Sequence, residues 1–280
     1  MTEYLTPRDV ATDLAREALR SVGYTAAEPG EHHVGTLNRV ICYPQAGLAV
    51  RITPPGFSRA AYRGYDVARR AGPTIAIAPI SVTTHRQYTI AVLPLAQPQP
   101  TTAQSWLSAQ ALASRLHRVS PDRLSLTPID HFVHVTERLE IVGESDHEAW
   151  AAPLRVVAGE LAADIAAFPA TSPVIVHGDL HGGQVVTLDG VDVLGDFDRA
   201  ALGDPEEDVS RLAAWVNAGR IPSAVLREVL DTNPHLRVDR IEVYSRTYAL
   251  RYLLFLAISQ PTSPPSPTML DFAVSLGLPA

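Results

Sequence analysis

The sequence predicts an α+β protein in which a small β-rich part precedes a larger helical one. Short apolar runs suited to strands crowd residues 33–93, and apolar stripes at helical spacing dominate after residue 102. Between them lies PLAQPQPTT at 94–102, uncharged and rich in proline. A chain of 280 residues, 46% hydrophobic and 19% charged, is long enough for two modest domains and suits packed cores rather than disorder. The boundary is drawn near Leu93–Pro94, giving an N-terminal domain over 1–93 and a C-terminal one over 94–280.

The elements follow in order. Thr6 is placed to cap a first helix, Pro7 suits its first turn, and Gly23 ends it. HVGTLNRVICY and LAVRIT read as strands around a turn at Gln45-Ala46-Gly47. Residues 58–71 read as a second helix, closed by Gly72-Pro73, and β runs are expected at 74–82 and 87–93. In the helical part, Leu107, Ala111, Leu112, Leu116 and Val119 form one stripe. Trp150, Leu154, Val157, Leu161, Ile165 and Phe168 form another, and both read as core faces. Asp204-Pro205-Glu206-Glu207 opens a helix that ends at Gly219, with Asp204 as cap and Glu207 as the N3 acid. Helices from about Ser223 and Val238 follow, then a Pro/Ser-rich stretch at 261–267. No internal repeat is found.

Composition removes several classes of function. The formal charge of −7 disfavours nucleic-acid and anionic-membrane partners, whose affinity rests on phosphate neutralisation. All 23 basic residues are arginine. Lysine Schiff bases and the lysine of a GxxxxGK[ST] phosphate loop are therefore excluded. Cys42 stands alone, so no intrachain disulfide or thiolate zinc cluster forms. The first residues lack a secretory pattern, and the longest oily stretch, 252–258, falls far below the ~20 residues of a membrane span. A cytoplasmic chain, monomeric or homodimeric, is expected.

The chemistry-bearing residues concentrate in one β island, VIVHGDLHGGQVVTLDGVDVLGDFD at 174–198. Residues 185–188 and 191–194 are two strands joined by Asp189-Gly190, a strong hairpin signal because both turn residues need positive φ. Folding this ribbon should bring Asp179, Gln184 and Asp196 together. Such oxygen donors suit a hard cation such as Mg²⁺, which takes one or two protein carboxylates and completes its shell with substrate phosphates.

HGDLHGGQ, beginning at His177, resembles the HGDxxxxN catalytic loop of the aminoglycoside phosphotransferase family. GDFDRAALGDPEED, beginning at Gly195, resembles that family's metal-binding segment. The resemblance implies a protein-kinase-like bilobal fold and transfer of the γ-phosphate of ATP or GTP to a small-molecule hydroxyl acceptor. Asp179 matches the catalytic Asp that orients and deprotonates the acceptor. Asp196 matches the Mg²⁺ carboxylate, with Asp198 as a further metal ligand or a support to it. His177 reads as a brace of the loop, and Asp204 and Asp208 as cap and buttress. His177 and His181 have a metal-like spacing, but a glycine-rich loop is not the helix that would make it converge. Gly35-x-x-Asn38 resembles the nucleotide-covering turn, and the backbone of Ala91, Val92 and Leu93 is placed to meet the purine.

Two departures stand out. Gln184 replaces the usual Asn, setting the amide oxygen one methylene further out. Arg51 occupies the place of the strand lysine; its permanent charge and bidentate geometry preserve the phosphate-binding role. The helix at 58–71 has no glutamate, so Asp66 is either the partner of Arg51 or a surface partner of Arg69 or Arg70. The acceptor is open: an aminoglycoside or other antibiotic, implying resistance, or a hydroxylated metabolite. Glu137, Glu140, Glu144, Asp146 and Glu148 are either a recognition patch for a cationic acceptor or a solvated face. Two alternatives remain beside the kinase reading: a nucleotide-binding protein of weak or no catalysis, and a metal-dependent hydrolase.

Overall fold

The computed structural model describes residues 6–24, 29–34, 38–169, 171–261 and 264–278. The chain divides into two compact units. The first comprises Met1–Pro100, Val119–Leu126 and Gly183–Ala200; the second comprises Thr101–Arg118, Thr127–Gly182 and Ala201–Ala280.

The first unit is built on a five-stranded antiparallel sheet ordered β1-β2-β3-β5-β4, from β1 (His32–Val34), β2 (Arg39–Tyr43), β3 (Leu48–Thr53), β4 (Ser81–His85) and β5 (Tyr88–Pro94). Helix α1 (Arg8–Ser21) lays Leu14, Ala15, Ala18 and Leu19 on Ile41, Val50, Ile52, Ile90 and Val92. Its start needs no side-chain cap: Thr6 is buried and makes no capping bond, contrary to the sequence expectation. Successive strand residues point to opposite faces, so Val50 and Ile52 under α1 commit Arg51 to the other face. On that face Ala61 and Tyr65 of α2 (Ser58–Ala71) pack with Ala91, directly opposite Arg51 in register. Strand β3 is buried throughout because both its faces are covered.

The hairpin that carries the carboxylates completes this unit. Strands β8 (Val185–Leu188) and β9 (Val191–Leu194) join through Asp189 at φ 51° and Gly190 at φ 80°, the positive pair the turn demands. The short β6 (Gln97–Pro98) adds to β8. The stretch at 74–80, expected as strand, is not one. It instead grips the end of β9: Leu194 N donates to Ile75 O at 2.8 Å, and Ile77 N donates to Leu194 O at 3.0 Å. This pairing, with β6 on β8, is why residues 183–200 cluster with the N-terminal unit instead of following the boundary at Leu93–Pro94.

The second unit is helical, with one two-stranded ribbon of β7 (Val174–Val176) and β10 (Ala201–Gly203). Thr102 and Ser105 form a capping box at the start of α3 (Ala103–Leu116). The buried face of α3 runs through Trp106, Ala109, Leu112, Ala113 and Leu116, so the predicted stripe is only half right: Ala111 is exposed. Helix α4 (Val135–Gly143) is not expected from the sequence, and α9 (Pro267–Ser275) begins inside the stretch read as Pro/Ser-rich, where Ser266 caps it by accepting from Met269 N at 3.3 Å and Pro267 is its first residue. Along α5 (Glu148–Ala166), Trp150, Leu154, Val157 and Leu161 are buried as expected. They form one core with Leu250, Leu253 and Leu254 of α8 (Val238–Ser259) and Met269 and Phe272 of α9. Helices α6 (Glu207–Asn217) and α7 (Ser223–Thr232) pack with Trp106 and Ile241 in a second core. Among the described residues, no helix is long and apolar enough to cross a membrane.

Candidate active site

In the first unit, one guanidinium holds two carboxylates. Arg51 Nη2 lies 2.9 Å from Asp196 Oδ1 and 2.5 Å from Asp198 Oδ2. The pairing follows from two local features. Arg51 leaves β3 on the α2 face, and the 195–198 segment is pressed against α2 where Gly64 has no side chain. A Cβ on Gly64 would lie 2.8 Å from the carbonyl of Phe197. Arg63, its neighbour on α2, donates to the backbone oxygen of Asp198 at 3.1 Å. Asp196 sits at φ 57°, a left-handed conformation uncommon outside glycine, although Asp tolerates it better than most residues.

Asn38 completes the cluster. With its amide nitrogen donating to Thr53 Oγ1 at 2.8 Å, its oxygen accepts from the Arg51 guanidinium. A small pocket of about 60 Å³ opens beside the ion pair, lined by Arg51, Tyr65, Ala68, Leu93, Asp196 and Phe197 among others. It has room for a few waters or an ion rather than a base.

Burial opposes the charge on Arg51, but Tyr65, Asp198 and Asp196 outweigh it, and the guanidinium is held firmly charged. Burial pushes the Asp198 carboxyl above its ordinary value despite Arg51, and Asp196 adds to the rise. Tyr65 is pushed up to about 12, again mainly by burial.

These contacts correct two expectations. Arg51 does not pair with Asp66, which instead faces Arg69 across one helical turn at 3.7 Å with both side chains largely exposed. The reason is direction: Arg51 points at the hairpin, and Asp66 lies on the solvent side of α2. Nor are Ala91 and Val92 open to a purine. Ala91 lies between Arg51 of β3 and Val82 of β4, and Val92 O accepts from Ile80 N at 2.8 Å. Of the three, Leu93 alone lines the pocket. Gly35 falls outside the described residues.

The donor set around the hairpin fits a hard cation. Asp198 Oδ1 is buried with no hydrogen-bond partner, and Asp196 is half exposed. Gln184 O accepts from Gly195 N at 2.9 Å, which fixes Gln184 beside the residue preceding Asp196. Among the described residues, no three His, Cys, Asp or Glu side chains gather around one point, so a metal here would need a ligand from outside that set.

In the second unit, the loop after β7 is braced from α6. Asp208, fully buried, accepts from His177 N at 2.9 Å, Gly178 N at 3.0 Å and His117 Nε2 at 3.0 Å. Burial works against its charge, but the bonds from His117 and from the backbone of His177 prevail, and its carboxyl is held below the usual range. This is the buttress expected of Asp208. Asp204 departs from its expected role. Its backbone N donates to Glu207 Oε1 at 3.0 Å, half of a capping box, while its carboxylate accepts from Arg240, Thr171 and, at 2.7 Å, Tyr244.

Asp179 has a partner that sequence reasoning missed. Arg211 Nη1 on α6 donates to Asp179 Oδ1 at 2.7 Å. The signal was present: Arg211 follows Asp208 by three positions, so both lie on the face of α6 that meets this loop. The acids Glu137, Glu140, Glu144, Asp146 and Glu148 are all exposed, as both a solvated face and a recognition patch require.

Residues 63–250 match the family model described as APH, phosphotransferase enzyme family. No curated protein matches the chain in sequence. Among solved structures, it is similar to a choline/ethanolamine kinase family protein from Mesorhizobium loti. That alignment has 20% identity and a TM-score of 0.70, covering 95% of this chain and 94% of that one. The macrolide 2'-phosphotransferase MphH from Brachybacterium faecium aligns at 16% identity and a TM-score of 0.60, covering 98% and 99%. Aminoglycoside phosphotransferase APH(4)-Ia, in a thermostable mutant form solved with AMP-PNP and hygromycin B, aligns at 15% identity and a TM-score of 0.67, covering 94% and 95%. The fold is protein-kinase-like, and the chain belongs to the APH family of phosphotransferase enzymes, which act on alcohol groups.

Proposed function

We propose that this enzyme transfers the terminal phosphoryl group of ATP or GTP to a hydroxyl of a small molecule. The observation that carries this reading is the Arg51–Asp196–Asp198 cluster: a permanent cation and two carboxylates, one with an unpartnered buried oxygen, beside a small pocket. Phosphoryl transfer demands positioning and charge neutralisation more than covalent chemistry, and this cluster supplies both signs of charge.

Asp196, Asp198 and the Gln184 amide are the residues that would hold Mg²⁺, which when bound neutralises nucleotide phosphate charge. Arg51 then exchanges its carboxylate partners for phosphate oxygens, to which a guanidinium binds with matching geometry. Asn38, bonded to Arg51, fixes the height of the guanidinium above the sheet. Asp179 orients the acceptor hydroxyl and takes its proton. Asp208 holds the loop that carries Asp179 by binding two of its backbone N–H groups. The acceptor is an antibiotic or a hydroxylated metabolite, and the activity of neighbours on aminoglycosides or macrolides is one guide among several to the panel.

The test is acceptor-stimulated formation of ADP or GDP over a panel of hydroxylated sugars, amines and antibiotics. Asp179→Asn should lower turnover by about 10²–10⁴-fold while leaving the nucleotide-induced rise in melting temperature intact. Undiminished turnover in that variant contradicts the reading. Mg²⁺-dependent nucleotide binding without turnover on any acceptor points instead to a binding protein. Phosphate release from a phosphoester without nucleotide points to a hydrolase.

A further inference from the structure

The site's charge narrows the class of acceptor, given the reading of Asp179 as the base. Arg211 is fixed at one end by its 2.7 Å bond to Asp179 Oδ1 and along its length by α6. Its guanidinium lies 5.7 Å from the ring centre of Tyr248 on α8, a cation–π distance. The side chain is 20% exposed and that of Asp179 29%, so both keep a face open where a hydroxyl would be presented.

A guanidinium has five N–H donors and no acceptors. One is committed to Asp179, and Nε is buried with no partner. A base that would greet an ammonium group is thus already neutralised by a cation that cannot lose its charge. The acids that could draw in a polyamine, Glu137, Glu140, Glu144, Asp146 and Glu148, are exposed, where water and salt screen them.

We infer that Arg211 is a specificity-determining residue, and that the acceptor is a hydroxylated molecule carrying an anionic group, carboxylate or phosphate, close to the reacting hydroxyl rather than a polycation. The anion takes donors that Asp179 leaves unused, and a neighbouring ammonium is repelled.

Matched acceptors test this with the intact protein and MgATP: glycerate, glycerol 3-phosphate, glycerol and 3-aminopropane-1,2-diol, with glucuronate, glucose 6-phosphate, glucose and glucosamine as a second set. The expected order of kcat/KM is anionic, then neutral, then amine, with at least tenfold between the first and last. Comparing carboxylate with phosphate members separates those two anions. Arg211→Gln should lower kcat for every acceptor alike through its bond to Asp179, but should raise KM for the anionic acceptors at least tenfold relative to the neutral ones and lower it for the amine. Arg211→Lys should restore the order in part. An amine-bearing acceptor used best by the wild type, turnover of no anionic acceptor, or an equal change in KM for every acceptor in Arg211→Gln overturns the inference. Neutral or amine acceptors preferred over the anionic ones, with turnover that vanishes in Asp179→Asn, overturn it alone, whereas turnover that survives Asp179→Asn overturns the underlying assignment of the base.

Discussion

Among the described residues, two buried arginines hold carboxylates, one in each unit, and the two centres differ in how fully the carboxylates are used. In the second unit, Arg240 is 2% exposed and Asp204 11%, and the Asp204 carboxylate is shared by Arg240, Tyr244 and Thr171. The Arg240 guanidinium also covers the Phe168 ring at 4.7 Å. In the first unit, Arg51 is also sheltered, at 9%, but Asp196 is 49% exposed and Asp198 Oδ1 has no partner. The carboxylate in the second unit is fully used by its own neighbours; the first unit leaves oxygen donors for something else to use. Identical residue types thus serve as a strut in one place and as a prospective ligand set in the other, and the unspent oxygens tell them apart.

The largest effect should come from breaking the strut. Arg240→Met leaves Asp204 buried without its cation and should cost about 3–5 kcal/mol, read from denaturant unfolding. A loss under 1 kcal/mol would erase the distinction between the centres. Next comes Asp208→Asn, which weakens three bonds to a charged acceptor and should cost about 1.5–3 kcal/mol at neutral pH. Its pH dependence has a definite sign. The folded carboxyl titrates below the ordinary value of 3.8, so its stabilisation is present above that value and is lost as pH falls through the folded one. The wild type should therefore lose more stability than Asp208→Asn over that acid range; parallel curves would contradict the buttress.

Gly64→Ala should cost about 1–3 kcal/mol, because its methyl meets the Phe197 carbonyl and α2 must shift away from the hairpin. Arg51→Gln should cost about 1–3 kcal/mol, because Asp196 is half exposed and readily rehydrated whereas sheltered Asp198 loses its cation, and it should weaken nucleotide binding at least tenfold by calorimetry. Asp66→Asn is the smallest: its 3.7 Å pair with Arg69 is exposed, so stability should stay within about 0.5 kcal/mol and nucleotide affinity should be unchanged.

What sequence could reveal divides along local and non-local lines. The Asp189-Gly190 hairpin and the bounds of α2 follow from turn chemistry and helix punctuation over a few residues, and both were legible. The partners of Arg51 were not, because they are set by which face of β3 meets which loop, and Asp66 competed with Asp196 and Asp198 only on paper. Residues 74–80 look like a strand because they are apolar, but their backbone serves to hold Leu194. Helix α9 begins within the Pro/Ser-rich stretch, where the cap Ser266 and the first-turn Pro267 are legible but stand hidden among the other prolines, and its burial of Met269 and Phe272 comes from tertiary packing. The Asp179–Arg211 pair joins residues on different elements, and only the spacing from Asp208 hints at it.

The most direct test of the exchange of Arg51 for a cation–nucleotide complex is calorimetric titration of ATP, with and without Mg²⁺, into the wild type and Asp196→Asn. Binding that requires Mg²⁺ and weakens at least tenfold in the variant, with the unfolding midpoint little changed, is the predicted result. Binding of equal strength without Mg²⁺, or undiminished in Asp196→Asn, would show that the open carboxylates of the first unit are not the nucleotide's metal site.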